Sequence, residues 1–103
     1  MSTLSTHVLD TTNGRPAAGI AVRLETRDGE ILGAGATDDD GRVSTIGPDR
    51  LDAGDYVLRF DTGSYGNTFY PEVVVVFTTA DPHQHYHVPV LLSSYGYTTY
   101  RGS

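Results

Sequence analysis

Cysteine is absent from all 103 residues. That excludes disulfides, thiolate nucleophiles and cysteine-ligated zinc. It also leans toward a reducing compartment, because small secreted domains commonly carry disulfides. Basic residues are scarce, 7 against 13 acidic ones, for a formal net charge of −6. Binding to nucleic acid or to an anionic membrane surface needs a basic stripe, so neither partner is expected. An anionic ligand would have to be met by a local arginine instead. The longest apolar run, Val73 to Phe77, is far short of a membrane span. The first ten residues have neither the basic region nor the apolar stretch of a signal peptide. The expectation is therefore a single cytoplasmic domain over residues 1–103, since a chain of this length builds one core and not two.

Helix of ordinary length, internal repeats and low-complexity segments are missing too. What is present is 12 glycines, 7 tyrosines and short runs that alternate with a period of two. Leu4, Thr6 and Val8 share one face of a first strand, leaving Ser5, His7 and Leu9 on the other. Ile20 to Thr26 alternates cleanly, and Asp28-Gly29 signals a hairpin into Glu30 to Thr37. Asp38 to Arg42 reads as a tight turn with Gly41 where φ > 0 is tolerated, followed by a short strand from Arg42 to Ile46. Tyr56 to Asp61 alternates again, and Ser64 to Asn67 is expected to form at most one helical turn. Glu72 to Thr79 is apolar on both faces, so it is expected to be central or covered at an interface. Tyr86, Val88, Val90 and Leu92 share a core face opposite His85, His87 and Leu91, and Tyr97 to Arg101 is the last strand. Eight short strands at this spacing predict an all-β, antiparallel two-sheet sandwich with little or no helix.

Three constellations carry chemistry. His83, His85 and His87 lie at spacing two, and a His-x-His pair can offer two imidazoles to one zinc ion. No third ligand follows from the spacing, so no metal is expected, and an exposed turn is the ordinary role for His83. Asp38 to Gly41 lacks the downstream bidentate glutamate of a calcium loop and reads as a solvated turn. His7 and His87 both point away from the core of their strands, beside Leu9 and Leu91, a half-apolar setting that a second subunit would cover. With Arg42 anchored by its turn, the two histidines make a candidate water-activating site. A nearby guanidinium disfavours imidazolium and keeps a histidine able to accept a proton. The closing Tyr100-Arg101-Gly102-Ser103 continues a strand pattern, and a serine hydroxyl there suits a polar ligand or a histidine.

The chain resembles the transthyretin-related family, and within it the 5-hydroxyisourate hydrolase branch. His7-Val8-Leu9-Asp10, Gly14-Arg15-Pro16-Ala17 and Ile20 carry the likeness at one end. Tyr86-His87-Val88-Pro89, Leu92-Ser93, Tyr95-Gly96-Tyr97 and Tyr100-Arg101-Gly102-Ser103 carry it at the other, with Asp40-Gly41-Arg42 between. The resemblance implies an eight-stranded sandwich assembled as a homotetramer, a dimer of dimers, with active sites in the channel between dimers. It implies hydrolysis of a small purine-derived substrate, 5-hydroxyisourate, to 2-oxo-4-hydroxy-4-carboxy-5-ureidoimidazoline in urate degradation, without metal or cofactor. The family's catalytic positions fall on His7, Arg42, His87 and Ser103, and its substrate contacts on His7, Arg42 and Tyr100. Two departures stand out. Ser94 occupies a position the family usually gives to proline, which predicts a looser turn. The stretch 61–70 is shorter than usual and glycine-rich, so the family's brief helix is expected to be largely lost. The alternatives are a transthyretin-type small-ligand carrier and a structural β-sandwich without catalysis. The carrier branch lacks the terminal tetrapeptide, and a structural domain gives no reason for two outward histidines.

Overall fold

The computed structural model describes residues 4–103. Nine strands and one helical turn follow in chain order: β1 (Leu4–Asp10), β2 (Arg15–Pro16), β3 (Ala21–Thr26), β4 (Ile31–Ala36), β5 (Arg42–Val43), β6 (Gly54–Phe60), α1 (Thr62–Tyr65), β7 (Val73–Thr79), β8 (Tyr86–Ser93) and β9 (Gly96–Thr99). They form the two-sheet sandwich that the alternation indicates. One sheet runs β2-β1-β8-β9 with β5 also paired to β1; the other runs β4-β3-β6-β7. The extra strand relative to eight is the two-residue β2.

Period-two burial builds the core. Leu4 and Val8 of β1, Val22 and Leu24 of β3, Leu58 and Phe60 of β6, and Val88, Val90 and Leu92 of β8 turn inward between the sheets. Thr6 joins them, its hydroxyl donating to the Val88 carbonyl at 2.6 Å. Asp10 closes the inner face of β1. It accepts from the Asn13 backbone and side chain and from the Tyr65 hydroxyl, tying α1 to the end of the strand. Burial alone would raise the Asp10 pKa, but these hydrogen bonds outweigh it and hold the carboxyl below its ordinary value.

The pairings depart from the antiparallel expectation at one place. β1 and β8 run parallel, from Leu4 opposite Tyr86 to Asp10 opposite Leu92. The opposite sheet is built from the chain between them, so no hairpin joins the two and nothing forces them antiparallel. β5 stops at Val43 rather than Ile46: the regular ladder ends there, although the Ile46 N–H still donates to the Leu4 carbonyl at 3.1 Å while its side chain is buried in the core. β9 stops at Thr99 rather than Arg101. The β8 residue facing Tyr100 would be Pro89, which has no N–H to continue the ladder. β7 is an edge strand and not a central one, with Val74 and Val76 exposed on the outer face. The one turn of α1 is capped by the Asp61 side chain, which accepts from the Ser64 N–H. The turn after β8 is tied, not loose: the Ser94 N–H, which proline would lack, donates to Thr12 Oγ1 at 3.1 Å.

Candidate active site

The parallel pairing of β1 with β8 brings the two ends of the chain side by side. Ser5 lies opposite His87 and His7 opposite Pro89. On the other edge of β1, His7 pairs with Arg42 of β5. Ser5, His7, Arg42 and His87 therefore share the outer face of the five-stranded sheet. From strand spacing and rise, His7 and His87 sit about 8 Å apart across adjacent strands, enough for a small ligand between them.

Arg42 owes its position to the turn before it. The Asp38 carboxylate accepts from the N–H groups of Asp40 and Arg42, and the Asp38 N–H donates to the Arg42 carbonyl. Gly41 has φ +76°, and a Cβ there would lie 2.4 Å from the Val8 carbonyl oxygen, so only glycine fits. Its own carbonyl accepts from the Val8 N–H at 2.7 Å, which locks the turn against β1. The same turn orients His7, whose Nε2 lies 2.9 Å from the Asp40 carbonyl oxygen. A carbonyl only accepts, so Nε2 carries a proton and Nδ1 is the free lone pair of a neutral His7.

His87 is half-buried, and its pKa is lowered. Burial is the larger cause, followed by the positive charge of Arg42 and then by His7 and His85; a hydrogen bond with the Ser5 backbone works the other way. The guanidinium effect expected from the sequence is present, but desolvation leads it. His87 Nδ1 lies 2.8 Å from Ser5 Oγ, which leaves Nε2 outside that hydrogen bond. Behind the ring, Gly102 forms an isolated antiparallel bridge to His87, its N–H donating to the His87 carbonyl at 2.8 Å. A Cβ on Gly102 would come within 2.5 Å of His87 Cδ2, so the backbone there packs directly on the imidazole. Ser103 is exposed one residue past this bridge. Tyr100 is exposed as well, and Arg101 stacks over the Tyr86 ring with its guanidinium carbon 5.1 Å from the centroid.

Sequence reasoning missed two participants. Ser5 Oγ lies within hydrogen-bond distance of both His87 Nδ1 and His85 Nε2, at 2.8 and 2.9 Å. The alternation places Ser5 on the same face as His7, but only the register against β8 shows which histidine it meets. His85 is therefore part of this cluster. His83 is in an exposed turn, its N–H donating to the Asp81 carboxylate. Among the described residues, no three His, Cys, Asp or Glu side chains gather into a group able to hold a metal ion. A cavity of about 220 Å³ beside Asp10, Tyr65 and Asn67 includes none of His7, Arg42, His87 or Ser103. In one chain the histidine face is open.

A family model described as HIUase/Transthyretin matches residues 4–102. The chain belongs to the HIUase/transthyretin family. Within that family it is 46% identical over 109 residues to the 5-hydroxyisourate hydrolase of Salmonella dublin, covering 97% of this chain and 80% of that one. It superposes on the 5-hydroxyisourate hydrolase of Klebsiella pneumoniae with a TM-score of 0.89 at 37% identity, over 100% of both chains. It also matches transthyretin from Sparus aurata with a TM-score of 0.86 at 33% identity, covering 99% of this chain and 97% of that one. Fold likeness thus spans both branches of the family, and the side chains on the outer face must separate them. No helix among the described residues is long and apolar enough to cross a membrane.

Proposed function

We propose that this chain is a 5-hydroxyisourate hydrolase. The observation that carries the reading is the outward face where His87, held neutral by burial and by Arg42, stands beside His7. The substrate reading is supported by relatives named for that hydrolysis, matched over 80% of one chain and 100% of the other. In the reaction a water adds to a ring carbonyl carbon and the ring C–N bond breaks. The proton taken from water by a histidine is returned to the departing nitrogen, and a carboxylate and a ureido group result. Nε2 of His87 and Nδ1 of His7 are the nitrogens available as bases. Arg42 binds the substrate's anionic oxygens and disfavours a charged imidazole. Ser103 and Tyr100, carried by the segment that bridges to His87, position substrate or water. General-base assistance contributes roughly 10²–10⁴-fold, with positioning and charge stabilisation supplying the rest. No cofactor is required for these steps.

The single domain over residues 1–103 works in this reading as a homotetramer, a dimer of dimers, with the site closed between dimers. Two features support that assembly: the histidine face is open in one chain, and the edge strand β7 exposes Val74 and Val76 beside unpaired backbone. The cysteine-free composition is in keeping with a cytoplasmic setting. The test is to generate 5-hydroxyisourate freshly from urate and follow its ultraviolet decay. Acceleration above the spontaneous rate, from protein that elutes as a tetramer on gel filtration, is expected. Decay at the spontaneous rate with micromolar protein would favour the carrier instead.

A further inference from the structure

One hydroxyl serves two imidazoles: Ser5 Oγ is 2.8 Å from His87 Nδ1 and 2.9 Å from His85 Nε2. We propose that Ser5 is a positioning residue that fixes the tautomer of His87, with His85 setting the direction of the hydrogen bonds. The inference rests on the reading of His87 as a base at Nε2. For that nitrogen to hold a lone pair, Nδ1 of the neutral ring must carry the proton.

The geometry provides for this order. Ser5 has one proton to donate and can accept at its lone pairs. If its proton goes to His85 Nε2, then Ser5 Oγ accepts from His87 Nδ1–H, and His87 Nε2 is left bare. If the proton goes to His87 Nδ1, the proton of His87 must reside on Nε2, and the nitrogen facing the site becomes a donor. The first arrangement, in which His85 Nε2 accepts, is the one that the reading of His87 as a base at Nε2 requires. The hydroxyl is well placed to enforce it, because Ser5 sits directly opposite His87 in the parallel ladder and both backbones are fixed by the sheet. Gly102 packed on the other side of the ring leaves little freedom to rotate away. When Nε2 takes a proton, the same chain spreads the new positive charge over Ser5. A histidine partnered at its second nitrogen is the general means of fixing which nitrogen reacts.

Losing a charged tautomer-setting partner costs about 10⁴-fold in the serine-protease triad, and a neutral hydroxyl biases more weakly. Ser5→Ala is therefore expected to lower kcat about 10- to 100-fold with KM changed much less, and Ser5→Thr to restore most of it. Two-bond ¹H–¹⁵N spectra of the substrate-free tetramer read the tautomer directly. Wild type is expected to show His87 protonated at Nδ1. Ser5→Ala and His85→Phe, the latter lying outside β1, are each expected to move the proton toward Nε2. A wild-type His87 protonated at Nε2, or an unchanged tautomer in both variants, would overturn the proposal. Activity of His87→Asn tells the two readings apart. If it stays high while the tautomer shifts appear, His87 is not the base, yet Ser5 still sets its proton.

Discussion

Gly102→Ala perturbs the imidazole of His87 without replacing a reactive group. The added Cβ would lie 2.5 Å from His87 Cδ2, 3.2 Å from its Cγ and 3.3 Å from Pro89 Cγ. Carbon atoms rest at about 3.5–4.0 Å, so the ring must retreat by roughly 1 Å, or the Gly102 segment must swing off β8. In the first case the base moves relative to the substrate, and a 1 Å misplacement costs about 10²-fold in rate. In the second, the Gly102 N–H bond to the His87 carbonyl is lost, and Tyr100 and Ser103 move away from His87 with it. That bond contributes only about 0.5–1.5 kcal/mol, so the fold survives either way. The expected result is a kcat lowered about 10²-fold by ultraviolet assay, with thermal unfolding shifted by only a few degrees. A variant that turns over within about threefold of wild type would refute the packing of this segment as part of the site.

Other variants probe the remaining supports. Arg42→Ala removes a positive charge that lowers the His87 pKa, so the acid limb of the kcat/KM profile is expected to move to higher pH. Burial, the larger cause, remains, and the limb stays below an ordinary histidine; an unmoved or downward shift would contradict the assignment. Gly41→Ala forces φ +76° on a residue with a Cβ and drives that Cβ against the Val8 carbonyl. It is expected to cost about 2–4 kcal/mol in urea unfolding and to displace Arg42. Asp10→Ala is expected to cost about 2–3 kcal/mol at neutral pH, through lost bonds from Asn13 and Tyr65. Because the folded-state pKa of Asp10 is lowered, its contribution is fully present above about pH 4 and is lost as pH falls through the folded value. The gap between variant and wild type should therefore narrow in unfolding curves at acid pH.

Much of this fold is legible in the sequence because one face of β1, β3, β7 and β8 is buried. Period-two alternation assigns Leu4, Val8, Val88 and Val90 to the core, and by the same parity His7 and His87 to the outside. The turn before Arg42 is legible for a local reason, since Asp38 and Gly41 carry its chemistry within five residues. What escapes alternation is pairing between distant strands. The parallel register of β1 on β8 decides that Ser5 meets His87, and no local pattern encodes it. The apolar character of β7 is likewise ambiguous, because an edge strand with valines on its outer face reads like one buried within a sheet. At β9 the break is written in Pro89, on the neighbouring strand, so Tyr97 to Arg101 alone looks continuous.

The most direct measurement is the rate of 5-hydroxyisourate loss above its spontaneous decay, taken in parallel for wild type and for folded His87→Asn and His7→Asn. Clear acceleration by wild type, lost in most part in both variants while circular dichroism and elution volume stay unchanged, is the expected result. Near-normal turnover in either folded variant would contradict the role given to that histidine. Equal rates with and without wild-type protein would contradict the hydrolase reading itself.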